Sequence, residues 1–216
     1  KFIKSQLYQD VFADYIIGKI YHKTFLEFGA TDGLELSNTH LLENHSKWKG
    51  VLAEPDPQWH KQLKKNRPNT KIITDCIWKK SGETLDFLSS HDGVLSTINL
   101  YRDSDKDSMP TNTESRNKKF ETIKVNTLSL NDLIKNEFED ISPSYISIDT
   151  EGSEYEILRN FNFSKYTPKF LTIEHNFTRN QKYLDELMIK NGYIRIFRKI
   201  TSFDGWYVKK EVLNKH

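Results

Sequence analysis

The chain has 216 residues, with 32 Lys and Arg against 30 Asp and Glu and a formal net charge of +2. That length fits one compact domain, 1–216, with room for a buried core, and so even a balance of charge argues against a protein that holds nucleic acid through its phosphates. A single cysteine, Cys76, excludes an internal disulfide framework and a multi-cysteine zinc site. No apolar run is long enough to span a bilayer and no secretory h-region opens the sequence, so the expected location is cytoplasmic.

Residues 5–17 carry Tyr8, Val11, Phe12, Tyr15 and Ile16 at helical spacing before Gly18, which predicts a helix. Thr24 to Gly33, reading Thr-Phe-Leu-Glu-Phe-Gly-Ala-Thr-Asp-Gly, turns from an apolar run to a glycine-flanked acidic turn. A buried strand followed by a turn fits Phe25, Leu26 and Phe28, and Gly29 and Gly33 would let backbone approach a ligand closely. Strand-to-helix loops of this kind are where α/β sheets bind nucleotides. The glycine spacing is not GxGxxG, and Glu27 and Asp32 flank it, so the turn suits a ligand with an amino group rather than a pyrophosphate. S-adenosylmethionine, with its ammonium and sulfonium, meets that requirement; the alternative is a tight turn in which the two acids only cap backbone or meet solvent.

Residues 37–45 read as a helix with Leu41 and Leu42 inward, and 50–54 as a second strand that ends on Glu54 and Pro55. Glu54 follows the glycine turn by about twenty residues, the distance at which nucleotide-binding folds place a carboxylate for ribose hydroxyls. Asp56 should cap a helix with Pro57 at its first position and Trp59 and Leu63 on its apolar side, ending at Asn66-Arg67-Pro68. Its basic stretch, with Lys64, Lys65 and Arg67, reads as a solvated helix face. Residues 71–77 form a third strand with Asp75 and Cys76 near its end, beside the position of an adenine. Asp75 would accept from the exocyclic amino group, and Trp78 would either wall the ring or pack in the core.

Residues 81–98 predict a small hairpin. The polar stretch 99–119 predicts a mobile surface loop, read as a substrate lid, before extended chain at 120–125. Ser129-Leu-Asn-Asp132 is a capping box that opens a helix to residue 136, and Ser153-Glu-Tyr-Glu156 is a second. Between them, 145–149 is a core strand, so Asp149, Thr150, Glu151 and Gly152 fall in a strand-to-helix turn like the first. Residues 170–173 make a fifth strand ending in Glu174-His175-Asn176. Thr178-Arg-Asn-Gln181 should cap a helix packed through Leu184, Leu187 and Met188, and 193–197 with 206–208 read as an antiparallel pair.

Strands alternating with helices predict a three-layer α/β domain with a mostly parallel sheet and a C-terminal antiparallel hairpin. Five blocks in order, Ser5-Gln6-Leu-Tyr-Gln9-Asp10, Glu27-Phe-Gly29-Ala30-Thr-Asp32-Gly33, Ser37-Asn38-Thr39, Glu54-Pro55 and Ile148-Asp149-Thr-Glu151-Gly152-Ser-Glu154, together resemble the FkbM family of methyltransferases from about Ser5 to Asn176. The resemblance implies a Rossmann-like class I methyltransferase fold with a seven-stranded sheet, S-adenosylmethionine as donor, and a hydroxyl acceptor on a sugar, glycan or natural product. It also implies that Glu27, Gly29, Ala30, Asp32 and Gly33 surround the methionine part of the donor with Ser37 and Asn38 nearby, that Glu54 beside Pro55 holds the ribose, that Asp75 and Cys76 meet the adenine, and that Asp149 sits closest to the sulfonium. Stretch 99–119 has no counterpart in the family pattern.

Methyl transfer is an in-line displacement, so alignment supplies much of the catalysis, and help with the hydroxyl proton should add to it. His175, after the fifth strand, is the expected base; the alternative is a structural histidine. A divalent cation held by Asp149 with Glu174, His175 or Asn176 would resemble catechol-type O-methyltransferases, and is left uncommitted. Among rivals, a NAD-dependent oxidoreductase would want the missing GxGxxG, and a nucleic-acid enzyme a basic or aromatic track. A cofactor-binding protein without transferase activity would bind donor and transfer nothing.

Overall fold

The computed structural model describes residues 2–18, 21–91 and 93–215. Its strands and helices follow in the order α1 (Gln9–Ile17), β1 (Thr24–Phe28), α2 (His40–Asn44), β2 (Lys49–Ala53), α3 (Pro57–Asn66), β3 (Lys71–Ile73), β4 (Cys76–Trp78), β5 (Thr84–Ser90), β6 (Thr97–Ile98), α4 (Pro110–Lys118), β7 (Phe120–Ser129), α5 (Leu130–Glu137), β8 (Tyr145–Ile148), α6 (Glu154–Arg159), β9 (Phe170–Glu174), α7 (Asn180–Lys190), β10 (Tyr193–Ile196), β11 (Asp204–Lys209) and α8 (Lys210–Leu213). The main sheet has seven strands in the order β10-β11-β9-β8-β1-β2-β3. All neighbours pair in parallel except those of β11, which runs antiparallel to both β9 and β10. This is the expected seven-stranded, mostly parallel sheet with its C-terminal antiparallel hairpin. Among the described residues no helix is long and apolar enough to cross a membrane.

Strand alternation divides the core between the two faces of this sheet. Leu26, Phe28, Ile146, Ile148, Leu171 and Ile173 join α5, α6 and α7 on one side. Phe25, Tyr145, Phe170 and Trp206 join α1, Leu42 of α2 and Leu63 of α3 on the other. A strand buried on both faces reads as a continuous apolar run, which is why β1, β8 and β9 stand out in the sequence. Two of the expected caps form as well: Asp56 accepts from Gln58 N at the start of α3, and Ser129 from Asp132 N at the start of α5.

Four local expectations are corrected. The single strand at 71–77 is two: β3 ends the main sheet, whereas β4 belongs to a separate four-stranded sheet, β4-β7-β5-β6. The 81–98 hairpin exists as β5 and β6, but the longer partner of β5 is β7, seven residues in register from Thr84↔Asn126 to Ser90↔Phe120. Ser153 makes no side-chain cap for α6, and neither does any side chain for α7. Stretch 99–119 is not open loop: it holds a 3-10 turn at Asn99–Tyr101 and then α4, with Asp105 and Arg116 buried.

Candidate active site

The order of the main sheet reverses at β1, which lies between β2 on one side and β8 on the other. Open α/β sheets bind ligands at such a point, outside the carboxyl ends of the strands. There a cavity of about 300 Å³ is lined by Gly29 and Ala30 after β1, Glu54 and Pro55 after β2, Asp149 after β8 and Glu174 at the end of β9. Cys76, Ser37 and Asn38 line it too, as do Gln6, Met109, Asn112, Asn176 and Phe203 from more distant segments.

The first wall is built on the glycine turn. Gly29 has φ 71, and a Cβ there would lie 2.0 Å from the carbonyl oxygen of Asp149, so β1 and β8 meet at their ends only because position 29 has no side chain. Gly29 N and Ala30 N both donate to Ala53 O. Their N–H groups therefore stitch β1 to β2 instead of pointing at a ligand, and no helix begins until His40. Buried Glu27 organises the intervening chain: Oε1 accepts from Asn38 N at 2.7 Å, and Oε2 accepts from Ser37 Oγ at 3.0 Å and from Thr39 Oγ1. Arg67 closes the network from behind, donating to Gly33 O, Ser37 Oγ and Thr39 Oγ1 and pairing with Glu43. The sequence reading placed Arg67 on a solvated face; its side chain is buried.

Glu54 forms the second wall. Its Oε2 accepts from Thr31 N and its Oε1 from Asp56 N, both at 2.8 Å. Burial outweighs these bonds and pushes its carboxyl up to about 7. Burial also raises the Cys76 thiol to about 12, so it is an uncharged wall group.

The third wall carries the acids of β8 and β9. The turn 149–152 is held by Glu154, whose Oε1 accepts from Thr150 N, Thr150 Oγ1 and Gly152 N at 2.9–3.0 Å. Ser153 Oγ donates to Thr150 Oγ1, so both side chains serve the turn and the expected capping box is lost. Asp149, Glu151 and Glu174 bring carboxylate oxygens within 4.8 Å of one another. Burial raises all three above the ordinary carboxylate range, Asp149 to about 7. Asp149 and Glu174 therefore stand close enough to compete for a proton, and Glu151 pairs with Arg116 at 2.8 Å.

Asp32, Gly33, Asp75 and His175 do not line the cavity. Asp32 Oδ1 accepts from Leu34 N and Glu35 N, shaping the turn, and Gly33, at φ 72, packs against Leu63 and Arg67. Asp75 lies in the break between β3 and β4, and Trp78 packs in the core against Tyr101. His175 is buried with Nδ1 accepting from Phe177 N at 3.0 Å and Nε2 facing Arg195 Nη2 at 2.8 Å. Burial, then the Arg195 charge, lower it to about 4.

Residues 27–195 match the methyltransferase FkbM domain. The chain is a member of the FkbM methyltransferase family. Membership makes it an S-adenosylmethionine-dependent methyltransferase by family. Among curated proteins the sequence has no match. A Staphylococcus aureus structure assigned as a caffeoyl-CoA O-methyltransferase is 14% identical with a TM-score of 0.52, covering 96% of this chain and 85% of that one. A precorrin-6y C5,15-methyltransferase from Geobacter metallireducens is 10% identical with a TM-score of 0.42, covering 96% and 89%. A Pyrococcus horikoshii structure assigned as an RNA methyltransferase is 10% identical with a TM-score of 0.45, covering 93% and 81%. At such identities the likeness concerns the fold. Sequence reasoning missed Met109, Asn112 and Phe203 on the cavity wall and the buried Arg67 and Arg116 behind it. None of them has a spacing or pattern that marks it, because each reaches the site through tertiary packing.

Proposed function

We propose that this FkbM-family protein is an O-methyltransferase that transfers methyl from S-adenosylmethionine to a hydroxyl of a sugar, glycan or natural-product acceptor, with Asp149 taking the acceptor proton. The observation that carries this reading is the close Asp149–Glu174 pair, with carboxyl oxygens within 4.8 Å of each other, on the wall of a cavity that also holds Glu54. The residues present fit the donor. Each oxygen of Glu54 receives one backbone N–H and so keeps capacity for ribose hydroxyls, while Asn38 Oδ1 is buried in the cavity wall without a partner, an acceptor suited to an ammonium. Gly29, Ala30, Ser37, Pro55 and Cys76 would complete the enclosure.

When bound, S-adenosylmethionine supplies a methyl group on a positive sulfonium. Glu174 keeps its proton and donates to one oxygen of Asp149, leaving the other free to accept from the substrate hydroxyl. A carboxylate raised to about 7 is matched to that task at neutral pH, where a positioned base contributes roughly 10²- to 10⁴-fold. Transfer to oxygen balances if the hydroxyl proton ends on Asp149 as the oxygen–carbon bond forms. His175 is not assigned this role, since its ring is turned from the cavity and held uncharged.

A divalent cation would find three carboxylates within reach. Arg116 already pairs with Glu151, which leaves two carboxyls for a cation, and we favour metal-free proton transfer. Turnover abolished by chelation and restored by magnesium would reverse that choice.

Calorimetric titration of the wild type and Glu54→Ala with S-adenosylmethionine, S-adenosylhomocysteine and NAD tests the donor. Micromolar binding of the first two, weakened at least tenfold in the variant and absent for NAD, is expected. Binding of NAD alone would favour an oxidoreductase, and donor binding with no methyl transfer to any hydroxyl would favour a cofactor-binding protein without transferase activity.

A further inference from the structure

Six carboxylates line the cavity, those of Glu27, Glu35, Glu54, Asp149, Glu151 and Glu174, and among the described residues no Lys, Arg or His does. The guanidinium groups behind the wall are directed at partners of their own. Arg116 donates through Nε to Leu95 O, through Nη1 to Arg102 O and Asp105, and through Nη2 to Asp105 and Glu151, which uses all five of its N–H donors. Arg67 is likewise directed at Gly33 O, Ser37, Thr39 and Glu43. An incoming phosphate would therefore meet no free cation. It would instead lose its water against a wall of acids, which is costly because a buried charge must be paired.

The charges that remain after internal pairing can be followed one by one. Glu35 faces Lys4 at 3.5 Å, Glu151 is paired with Arg116, and Asp149 and Glu174, with oxygens within 4.8 Å, hold one proton between them in the proposed mechanism. Glu27, Glu54 and one charge on the Asp149–Glu174 pair are left. On the methyltransferase reading, on which this inference rests, the donor brings an ammonium, a sulfonium and a carboxylate, a net of one positive charge. The closed site is still short of positive charge, and the acceptor is what remains to supply it.

We propose that the acceptor is cationic, an amino sugar or other amino-bearing polyol whose ammonium sits near the hydroxyl to be methylated, and that phosphate-bearing acceptors are rejected. The singly charged Asp149–Glu174 pair receives both the ammonium and the hydroxyl on the same wall. Leu36, Val94 and Met109, which flank the cavity, offer apolar surface to the carbon skeleton of such a molecule, while Asn112 and Asn176 offer neutral hydrogen bonds to its other hydroxyls.

Three probes that differ at one position test this: 6-amino-6-deoxyglucose, glucose and glucose 6-phosphate, titrated by NMR at pH 7.5 into protein saturated with S-adenosylhomocysteine. The amino sugar is expected to bind at least tenfold more tightly than glucose, and the phosphate not measurably. Asp149→Asn, which removes the single charge of that pair, should bring the amino sugar and glucose together while S-adenosylhomocysteine still binds, which shows that the variant is folded. Glucose 6-phosphate binding as well as glucose, equal binding of glucose and the amino sugar, or silence from all three on loaded protein would overturn the inference. If S-adenosylhomocysteine itself failed to bind, the donor reading would fall first and this one with it.

Discussion

Asp149 and His175 follow neighbouring parallel strands, yet only Asp149 faces the cavity. Along β9 the side chains alternate, and Glu174 takes the cavity side; the chain then turns at Asn176 and Phe177, at φ 44 and 54, which carries the imidazole back towards Arg195. A ring lowered to about 4 by burial and the Arg195 charge is uncharged at neutral pH and has little tendency to take a second proton. The two residues should therefore separate in a pH profile. With saturating donor, kcat/KM is expected to rise with pH through about 7 as Asp149 ionises. Asp149→Asn should lower kcat by roughly 10²- to 10⁴-fold and abolish the inflection. His175→Ala should keep the inflection and instead lose about 1–3 kcal/mol of stability in urea, because the buried contacts of the ring with Phe177 N and Arg195 are lost. An inflection that disappears in the His175 variant but survives in Asp149→Asn would reverse the assignment.

Among the elements, α4 has the least reason to be where it is on sequence grounds, since Arg116 is its only buried residue. That guanidinium is what holds it. Arg116→Met is expected to cost about 3–5 kcal/mol, because Asp105 and Glu151 are left as uncompensated buried charges; hydrogen exchange should show the loss concentrated at 99–118, and protection unchanged there would mean that the pair does not anchor the segment. Gly29→Ala acts on a different joint. Its Cβ would strike backbone, not a flexible side chain, so more than about 1 kcal/mol of stability should be lost, together with donor affinity measured by calorimetry. These two cases also mark what could be read from the sequence. The junction of β1 and β8 was legible, because a glycine after an apolar run and an acid after another announce strand ends in an α/β sheet. The burial of Arg67 and Arg116 was not, because a charged residue in a polar stretch is ordinarily at the surface and only long-range partners make it otherwise. The break at Asp75 escaped for a similar reason: β4 leaves the main sheet to pair with β7, some fifty residues later in the chain, and local pattern carries no record of that partner. Ser153 shows a third kind of miss, a capping serine drawn into the turn before the helix while Glu156 of the same motif pairs with Arg159.

Over the whole molecule, an acid-lined cavity ties stability to pH with a definite sign. Burial raises Glu54 from 4.5 to about 7, Asp149 from 3.8 to about 7 and Asp204 from 3.8 to about 6. The folded state thus binds more protons than the unfolded state between roughly pH 4 and 7, and its stability falls as pH rises through that window. His175 works in the opposite sense, since a folded value of about 4 against 6.5 makes stability rise with pH between those values. The two effects oppose each other below pH 6.5, and above it only the carboxyl effect continues, until Glu54 and Asp149 are ionised. The ligand-free protein is therefore expected to show a lower Tm at pH 8 than at pH 6.5 in the same salt. Because the cause is unpaired negative charge in one cavity, a cation that enters it should offset the decline: saturating S-adenosylmethionine should raise Tm more at pH 8 than at pH 6.5. Scanning calorimetry at the two pH values, with and without donor, measures both. A Tm that climbs from pH 6.5 to 8 without ligand would mean that the cavity acids are compensated by groups other than those described, and would remove the electrostatic basis for a cationic acceptor as well.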